Sequence, residues 1–145
     1  MYGTYATVLR GQVNSAQSAG APATDRWMVL ICEDEVTLRE LVRVSLGGDD
    51  YEFVEAGDGV RGAQLARQLR PDLVVLDLML PLRSGLEVLE EIRSDARLAH
   101  TRVVVITASS NRREAVLAAG ADRFIRKPFE PDELRVAVEE LLDKR

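Results

Sequence analysis

Acidic side chains directly follow two of the apolar segments in this sequence. Glu33 and Asp34 come after one apolar run, and Asp77 comes after another. Carboxylates that lie a few ångströms apart repel one another, which raises a carboxyl pKa unless a positive charge intervenes. Oxygen atoms from carboxylates, a backbone carbonyl and water are the ligands that Mg²⁺ prefers. If the two apolar runs are neighbouring strands, the three acids predict a magnesium site.

A hydroxyl group and an ammonium group follow two further apolar segments. Thr107 comes after one, and Lys127, which precedes Pro128, comes after the other. A carboxylate nucleophile, a divalent cation, an ammonium and a hydroxyl together suit phosphoryl transfer to an aspartate such as Asp77. Taken singly, Thr107 could be an ordinary helix N-cap and Lys127 a surface lysine. The peptide before Pro128 could be cis.

Apolar segments alternate with amphipathic ones from Trp27 to the end of the chain. The pattern predicts strands over Met28–Cys32, Tyr51–Ala56, Leu73–Leu76, Val103–Ile106 and Arg123–Ile125, with helices over Val36–Leu46 and around 60–69, 86–92, 115–119 and 134–141. Thr37 and Glu40 could form a capping box in the first helix. A strand–helix unit repeated five times predicts a parallel sheet with helices on both faces, a three-layer α/β sandwich. Ligand sites in such sheets form at the carboxyl ends of the strands, where the polar residues converge.

Composition predicts one domain over residues 27–145 and a flexible N-terminal extension over residues 1–26. The extension is rich in Gly, Ala, Ser, Thr and Gln and is typical of a linker or tail. Alternatively, it docks on the domain or on a partner, and its candidate anchors are Tyr2, Tyr5, Val8 and Leu9.

Charge and composition also exclude several classes of protein. The net charge of −5 disfavours direct nucleic-acid binding, which relies on Lys and Arg. No apolar run is long enough to span a membrane. Cys32 is the only cysteine, so an internal disulfide or a cysteine metal cage is excluded, and its apolar neighbours predict a buried thiol. A cytoplasmic protein fits these features.

These residues resemble the response-regulator receiver family over Trp27 to Lys144. The resemblance rests on Ile31-Cys32-Glu33-Asp34-Glu35, on Asp77-Leu78-Met79-Leu80-Pro81 with Gly85, on Thr107-Ala108, on Gly120-Ala121-Asp122, and on Phe124-Ile125-Arg126-Lys127-Pro128-Phe129. It implies a flavodoxin-like fold whose five parallel strands lie in the order 2-1-3-4-5.

The resemblance also implies roles for individual residues around the phosphoacceptor Asp77. Asp34, Asp77 and the Met79 backbone carbonyl would hold Mg²⁺, with Glu33 acting directly or through water. Lys127 would pair with Asp77 or with the phosphoryl group.

The same resemblance implies a switch and its partners. Thr107 would move toward the phosphoryl group, and Phe124 would turn inward behind it. The donor would be a phosphohistidine on a sensor histidine kinase or a histidine phosphotransfer protein. The chain would thus be a signalling domain that catalyses only its own phosphorylation and dephosphorylation, not an enzyme with a separate substrate. It would act alone or as part of a longer regulator, and it could form a homodimer through the face of the fourth helix, fifth strand and last helix.

Some positions depart from the family pattern. The stretch from Thr107 to Gly120 is short, which predicts a trimmed loop or a shortened fourth helix. Arg123 stands where many DNA-binding members carry an acid, which weakens inference of their dimer geometry. Leu78 and Met79, beside the acceptor, offer no group to position a water molecule, so the lifetime of the aspartyl phosphate is open.

Other readings of the sequence predict different residues than those present. A flavin or nucleotide-binding enzyme would need a phosphate-cradling loop after the first strand, but Glu33 and Asp34 would repel phosphate without a metal. An aspartyl phosphatase would commonly carry a second acid at position 79, which is Met. A further alternative stays open, in which the chain is an interaction module whose acidic pocket is vestigial and is never phosphorylated. His100, the only histidine, is predicted to be an exposed loop residue, because a metal site would need further ligands.

Overall fold

The computed structural model describes residues 26–142, so all of the predicted extension except Arg26 lies outside the described residues. The strands are β1 (Trp27–Cys32), β2 (Tyr51–Ala56), β3 (Leu73–Asp77), β4 (Arg102–Thr107) and β5 (Arg123–Arg126). The helices are α1 (Val36–Leu46), α2 (Gly59–Leu69), α3 (Gly85–Arg93), α4 (Arg113–Ala118) and α5 (Pro131–Leu141), with 3₁₀ turns at Ala96–Leu98 and Ser110–Arg112. Among the described residues, no helix is both long and apolar enough to cross a membrane.

The five strands form one parallel sheet in the order β2-β1-β3-β4-β5, which confirms the predicted order. The strand order reverses between β1 and β3, where the chain leaves the sheet on opposite sides. Cys32 pairs with Leu76 across this junction, so the residues that follow them, Glu33 and Asp77, emerge side by side. Register therefore places the two acids together without any help from loop structure.

Two apolar layers cover the sheet, one on each face. Leu30, Val74 and Val105 belong to the layer that packs against α2 and α3, and alternate residues such as Ile31 and Val104 belong to the layer under α1 and α5. All five residues of β3 are buried, as expected for a strand covered on both faces. The sandwich of three layers and the core strands were therefore predicted correctly.

Cys32 is buried in the first of these layers, which confirms its predicted position. Burial raises the pKa of the Cys32 thiol to about 12, with a further contribution from Asp58. Gly62 of α2 lies directly above it, and a Cβ at Gly62 would come within 2.8 Å of the Cys32 sulfur. The thiol is therefore a small packing group with little tendency to form a thiolate.

The predicted capping box at the start of α1 is wrong. The helix begins at Val36, so Thr37 already lies within its first turn, and Glu35 at the N-cap makes no side-chain capping bond. A capping box is present in α3 instead, where Ser84 and Glu87 bond to each other's backbone N–H groups. A hydroxyl residue followed three residues later by a glutamate thus occurs at both helices, but it forms a capping box only in α3.

The fourth helix is short, as the spacing from Thr107 to Gly120 predicted. It has six residues and follows a 3₁₀ turn at Ser110–Arg112. Its far end is held by Arg93 of α3, which donates to the Gly120 carbonyl at 2.9 Å and to Asp122 at 3.0 Å. The shortened element is therefore anchored to its neighbour by charged hydrogen bonds as well as by packing.

Gly85 lets the start of α3 approach the end of β3 closely. Its N–H donates to the Leu78 carbonyl at 2.9 Å, and a Cβ at this position would overlap the carbonyl oxygen of Asp77 and the Cα of Leu78. Both overlapped atoms are backbone, so neither can swing away. The glycine thus fixes the path of the chain directly after Asp77.

We expect Gly85→Ala to destabilise the fold, because the added methyl group forces the backbone at Asp77 and Leu78 to move. Overpacking of this kind costs about 1–3 kcal/mol. Urea denaturation measures the loss, and Gly57→Ala is the matched control because its Cβ would meet only the Arg39 side chain at 3.5 Å. Equal denaturation midpoints for the two variants would contradict the close approach.

Candidate functional site

The ammonium group of Lys127 lies between two buried carboxylates at the carboxyl edge of the sheet. Its Nζ donates to Asp77 Oδ2 at 2.8 Å and to Glu33 Oε1 at 3.0 Å. Glu33 and Asp77 are each only 5% exposed, so neither carboxylate is well solvated. The three residues come from the ends of β1, β3 and β5, and the structure therefore brings together the acid, the acceptor candidate and the ammonium that the sequence predicted.

Burial and hydrogen bonding act in opposite directions on these groups. Burial raises the pKa of Glu33, and hydrogen bonds from the Glu35 N–H and from Lys127 oppose that rise. Partial burial disfavours the charged form of Lys127, but its hydrogen bonds to Asp77 and Glu33 outweigh this and raise the pKa of the ammonium group. Lys127 is therefore charged throughout the neutral range and balances part of the acidic charge.

Asp34 completes a group of three carboxylates at this edge. One oxygen each from Glu33, Asp34 and Asp77 lies within 4.8 Å of the others, and no other such group of potential metal ligands occurs in residues 26–142. Asp34 is exposed while the other two are buried. The group sets three carboxyl groups against the one ammonium of Lys127, and the donor set is all oxygen. The residues present therefore fit a small hard divalent cation such as Mg²⁺.

The segment after β3 continues the site. The Met79 N–H donates to Asp77 Oδ1 at 3.1 Å, which orients the carboxylate from the side opposite to Lys127. The Met79 side chain is 70% exposed, whereas Leu78 is buried in the core. The chain from Leu78 to Ser84 is loop between β3 and α3.

Thr107 ends β4 beside this cluster and is fully buried. Its Oγ1 accepts a hydrogen bond from the Ser109 N–H at 3.3 Å, and its carbonyl accepts one from the Lys127 N–H at 2.8 Å. The alternative that Thr107 is simply the N-cap of the next helix is wrong, because α4 begins at Arg113. The backbone bond ties the β4 end directly to the residue that bridges the acids.

Phe124 lies on β5, away from the carboxylates. The ring is half-buried and packs against the layer formed with α2 and α3, while the Arg113 guanidinium lies 5.7 Å from its centroid.

His100 is exposed near the opposite edge of the sheet, as predicted, and lies 3.3 Å from the Arg70 carbonyl. Arg123 pairs with Glu140 of α5 at 3.4 Å.

Sequence reasoning missed Arg39 of α1. Its guanidinium donates to the Glu33 carbonyl at 2.6 Å and to Glu55 of β2 at 3.0 Å. Glu55 itself was the available signal, since a charged residue inside a predicted apolar strand needs a partner. The peptide that joins the two acids after β1 is thus contacted by a cation from the following helix.

The fold and the geometry at the carboxyl edge together define a receiver domain, and comparison with known proteins agrees. Residues 29–139 match the family described as the response regulator receiver domain. The chain belongs to this family, whose role is to accept a phosphoryl group and to switch conformation in two-component signal transduction.

Two curated relatives of the chain are named as DNA-binding regulators. The chain is 38% identical over 113 residues to the DNA-binding response regulator MtrA of Mycobacterium tuberculosis (strain ATCC 25618 / H37Rv). The aligned residues make up 77% of this chain and 48% of MtrA. It is 37% identical over 116 residues to the DNA-binding dual master transcriptional regulator RpaA of Synechocystis, covering 79% of this chain and 48% of RpaA. The chain thus spans about half the length of the curated relatives it matches.

Solved structures of receiver domains have the same fold. The signal receiver domain of a putative Luxo repressor protein from Vibrio parahaemolyticus aligns with a TM-score of 0.75 at 30% identity, covering 81% of this chain and 90% of that one. The chemotaxis response regulator CheY4 of Vibrio cholerae aligns with a TM-score of 0.73 at 25% identity, covering 81% and 99%.

We expect Lys127→Met to destabilise the metal-free protein at neutral pH, because Glu33 and Asp77 then repel without a bridging cation. Removing one partner of a buried ion pair costs about 3–5 kcal/mol. Burial and repulsion from Asp77 raise the pKa of Glu33, so the penalty is fully present above the folded-state pKa of Glu33 and is relieved as the pH falls toward its unfolded value.

Urea denaturation in the presence of a chelator, at neutral and at mildly acidic pH, measures this effect. Arg126→Met, which removes a charge from the exposed neighbouring position, is the control. A deficit in Lys127→Met that is the same at both pH values would show that charge repulsion is not its cause.

Proposed function

We propose that Asp77 is the phosphoacceptor of this receiver domain. The observation that carries the proposal is the pair of contacts from Lys127 to Asp77 and Glu33, which leaves a buried carboxylate beside a fixed positive charge. One oxygen of Asp77 would attack the phosphorus of a phosphohistidine. The new oxygen–phosphorus bond forms as the phosphorus–nitrogen bond breaks, and the leaving imidazole takes the electron pair.

Mg²⁺ is the cofactor that this site would hold. Asp34, Asp77 and the Met79 carbonyl would bind it, with Glu33 acting directly or through water. When bound, the metal neutralises charge on the transferring oxygens. Lys127 stays close to Asp77 and offers its ammonium protons to the same oxygens.

Thr107 and Phe124 would carry the conformational response. The Thr107 hydroxyl now accepts a bond from Ser109, and in the phosphorylated state it would turn to donate to a phosphoryl oxygen. Phe124 is half-buried and would turn inward behind it. Each new contact favours one of two existing conformations, so phosphorylation shifts their populations.

The proposed partners follow from the chemistry and from the relatives. The donor is a sensor histidine kinase or a histidine phosphotransfer protein, and the chain is a cytoplasmic signalling domain whose only catalysis is its own phosphorylation and dephosphorylation. DNA binding is named for MtrA and RpaA as whole proteins, and the net charge of −5 here assigns no nucleic-acid contact to this chain. Output would pass to a partner or a further domain, and a homodimer would use the face of α4, β5 and α5. Residues 27–145 would form this domain, with residues 1–26 as its extension.

We expect wild-type protein incubated with a small-molecule phosphodonor and Mg²⁺ to gain the mass of one phosphoryl group. Asp77→Asn removes the nucleophilic carboxylate and should abolish the gain. Asp132→Asn, at an exposed position in α5, changes the same functional group away from the site and should leave the gain intact. Intact-mass spectrometry measures all three. A persistent adduct in Asp77→Asn would assign the chemistry to another residue.

We expect Mg²⁺ to stabilise the wild-type protein and Asp34→Ala to lose most of that stabilisation, because Asp34 supplies the exposed carboxylate of the group. A hundredfold excess of ligand over its dissociation constant adds about 2.7 kcal/mol to the free energy of unfolding. Thermal unfolding with and without Mg²⁺ measures the shift, and Asp49→Ala removes an equal charge at an exposed position as a control. Equal absence of a shift in all three proteins would favour a vestigial pocket.

A further inference from the structure

We propose that Arg39 is a positioning residue for the divalent cation, acting through the peptide that joins Glu33 to Asp34. The guanidinium group fixes the direction of this peptide and thereby the place of the Asp34 carboxylate. The inference rests on the proposed function, because it takes the three carboxylates to be the metal site.

Arg39 makes two directed hydrogen bonds to two different elements. Its Nη1 donates to the Glu33 carbonyl at 2.6 Å, and its Nε donates to Glu55 Oε1 on β2 at 3.0 Å. The side chain is 17% exposed, so these bonds are shielded from much of the solvent. A planar guanidinium presents its donors in a fixed fork, so the anchor at Glu55 also sets the direction of the bond to Glu33.

The anchor is itself held in place. Glu55 offers its second carboxylate oxygen to Arg43, one turn further along α1, at 3.0 Å. One carboxylate from β2 thus receives two guanidinium groups from the same face of α1. Charge-assisted bonds of this kind are stronger than neutral ones and restrict the Arg39 side chain to one conformation.

Asp34 depends on its backbone for its position. Among residues 26–142, its side chain takes part in no hydrogen bond or ion pair, although it lies in the group of three carboxylates. The backbone around it is held at four points: the Glu33 N–H donates to Ala56, the Glu33 carbonyl accepts from the Arg39 side chain, the Glu35 N–H donates to the Glu33 carboxylate, and the Glu35 carbonyl accepts from the Arg39 N–H. Arg39 supplies the only one of these restraints that comes from a side chain outside the acidic turn.

Charge and position predict opposite effects of Arg39 on metal binding. As a cation close to the carboxylates, Arg39 repels Mg²⁺, so removal of its charge alone would strengthen binding. As the restraint on the Asp34 peptide, it orders a ligand before the metal arrives, so its removal would weaken binding. Loss of groups that orient metal ligands typically weakens affinity about 10- to 100-fold. The sign of the change therefore identifies the role.

The test is calorimetric titration of the full chain with Mg²⁺, comparing wild type, Arg39→Met, Arg39→Lys and Arg61→Met. We expect Arg39→Met to bind about tenfold or more weakly despite its lost positive charge. Arg39→Lys keeps the charge but cannot satisfy both acceptors from one fork, so it should also bind weakly. Arg61→Met removes the same charge from an exposed position of α2 that contacts neither Glu55 nor the acidic turn, and its affinity should stay close to that of wild type.

A second readout separates positioning of the metal from general loss of structure. The rate of adduct formation with a small phosphodonor should return close to the wild-type rate in Arg39→Met once Mg²⁺ is saturating, because Arg39 touches no reacting atom. Unchanged or tighter Mg²⁺ binding in Arg39→Met, or a rate that stays low at saturating Mg²⁺, would overturn the inference. If Arg39→Met does not fold, Arg39→Lys and Glu55→Gln, which removes the anchor's charge, decide the question by the same titration.

The titration of wild-type protein distinguishes failure of the positioning role of Arg39 from failure of the proposed metal site. If wild-type protein binds Mg²⁺ and the Arg39 variants bind it equally well, the positioning role fails and the proposed function stands. If wild-type protein binds no Mg²⁺, the proposed metal site fails, and the role of Arg39 fails with it.

Discussion

The arrangement of the site depends on the hydrogen bonds from the Lys127 ammonium group to the carboxylates of Glu33 and Asp77. The parallel register of β1 and β3 places Glu33 beside Asp77, and both carboxylates are buried, so their repulsion is poorly screened. Lys127 reaches them from β5, on the far side of β4, and bonds to both. The sheet order is thus also an electrostatic arrangement, in which an outer strand carries the charge that lets two inner strands end in acids.

Much of this architecture could be predicted from the sequence, because its signals are local. Apolar runs mark strands covered on both faces, and the polar residue that ends each run must lie at one edge of a parallel sheet. Glu33, Asp77 and Lys127 were found by that argument alone, whereas the order of the strands came from family resemblance. The capping box failed because the pattern occurs at both α1 and α3, and only the position of the first helical residue decides between Thr37 and Ser84.

The rest of the site depends on contacts between elements that no periodicity reveals. Arg39 lies on α1, where an arginine is expected to face solvent, and its role depends on Glu55, which enters from a different strand. The contact of Arg113 with Phe124 likewise joins a short helix to the edge strand. Long charged side chains can reach several neighbours, so several partners for each of them are compatible with the sequence. The packing of α1 against β2 and of α4 against β5 selects one.

The bridge at Lys127 has a consequence for the order in which the chain can assemble. It joins residues 94 and 50 positions apart, and the lysine is the last of the three to be synthesised. Any partly folded chain that has paired β1 with β3 but has not yet added β5 brings Glu33 and Asp77 together with no cation between them. Repulsion between the two carboxylates therefore destabilises a chain in which only β1 and β3 have paired. Addition of β5 removes that repulsion. The strands from β1 to β5 on this side of the sheet are thus favoured to form cooperatively once Lys127 has been synthesised.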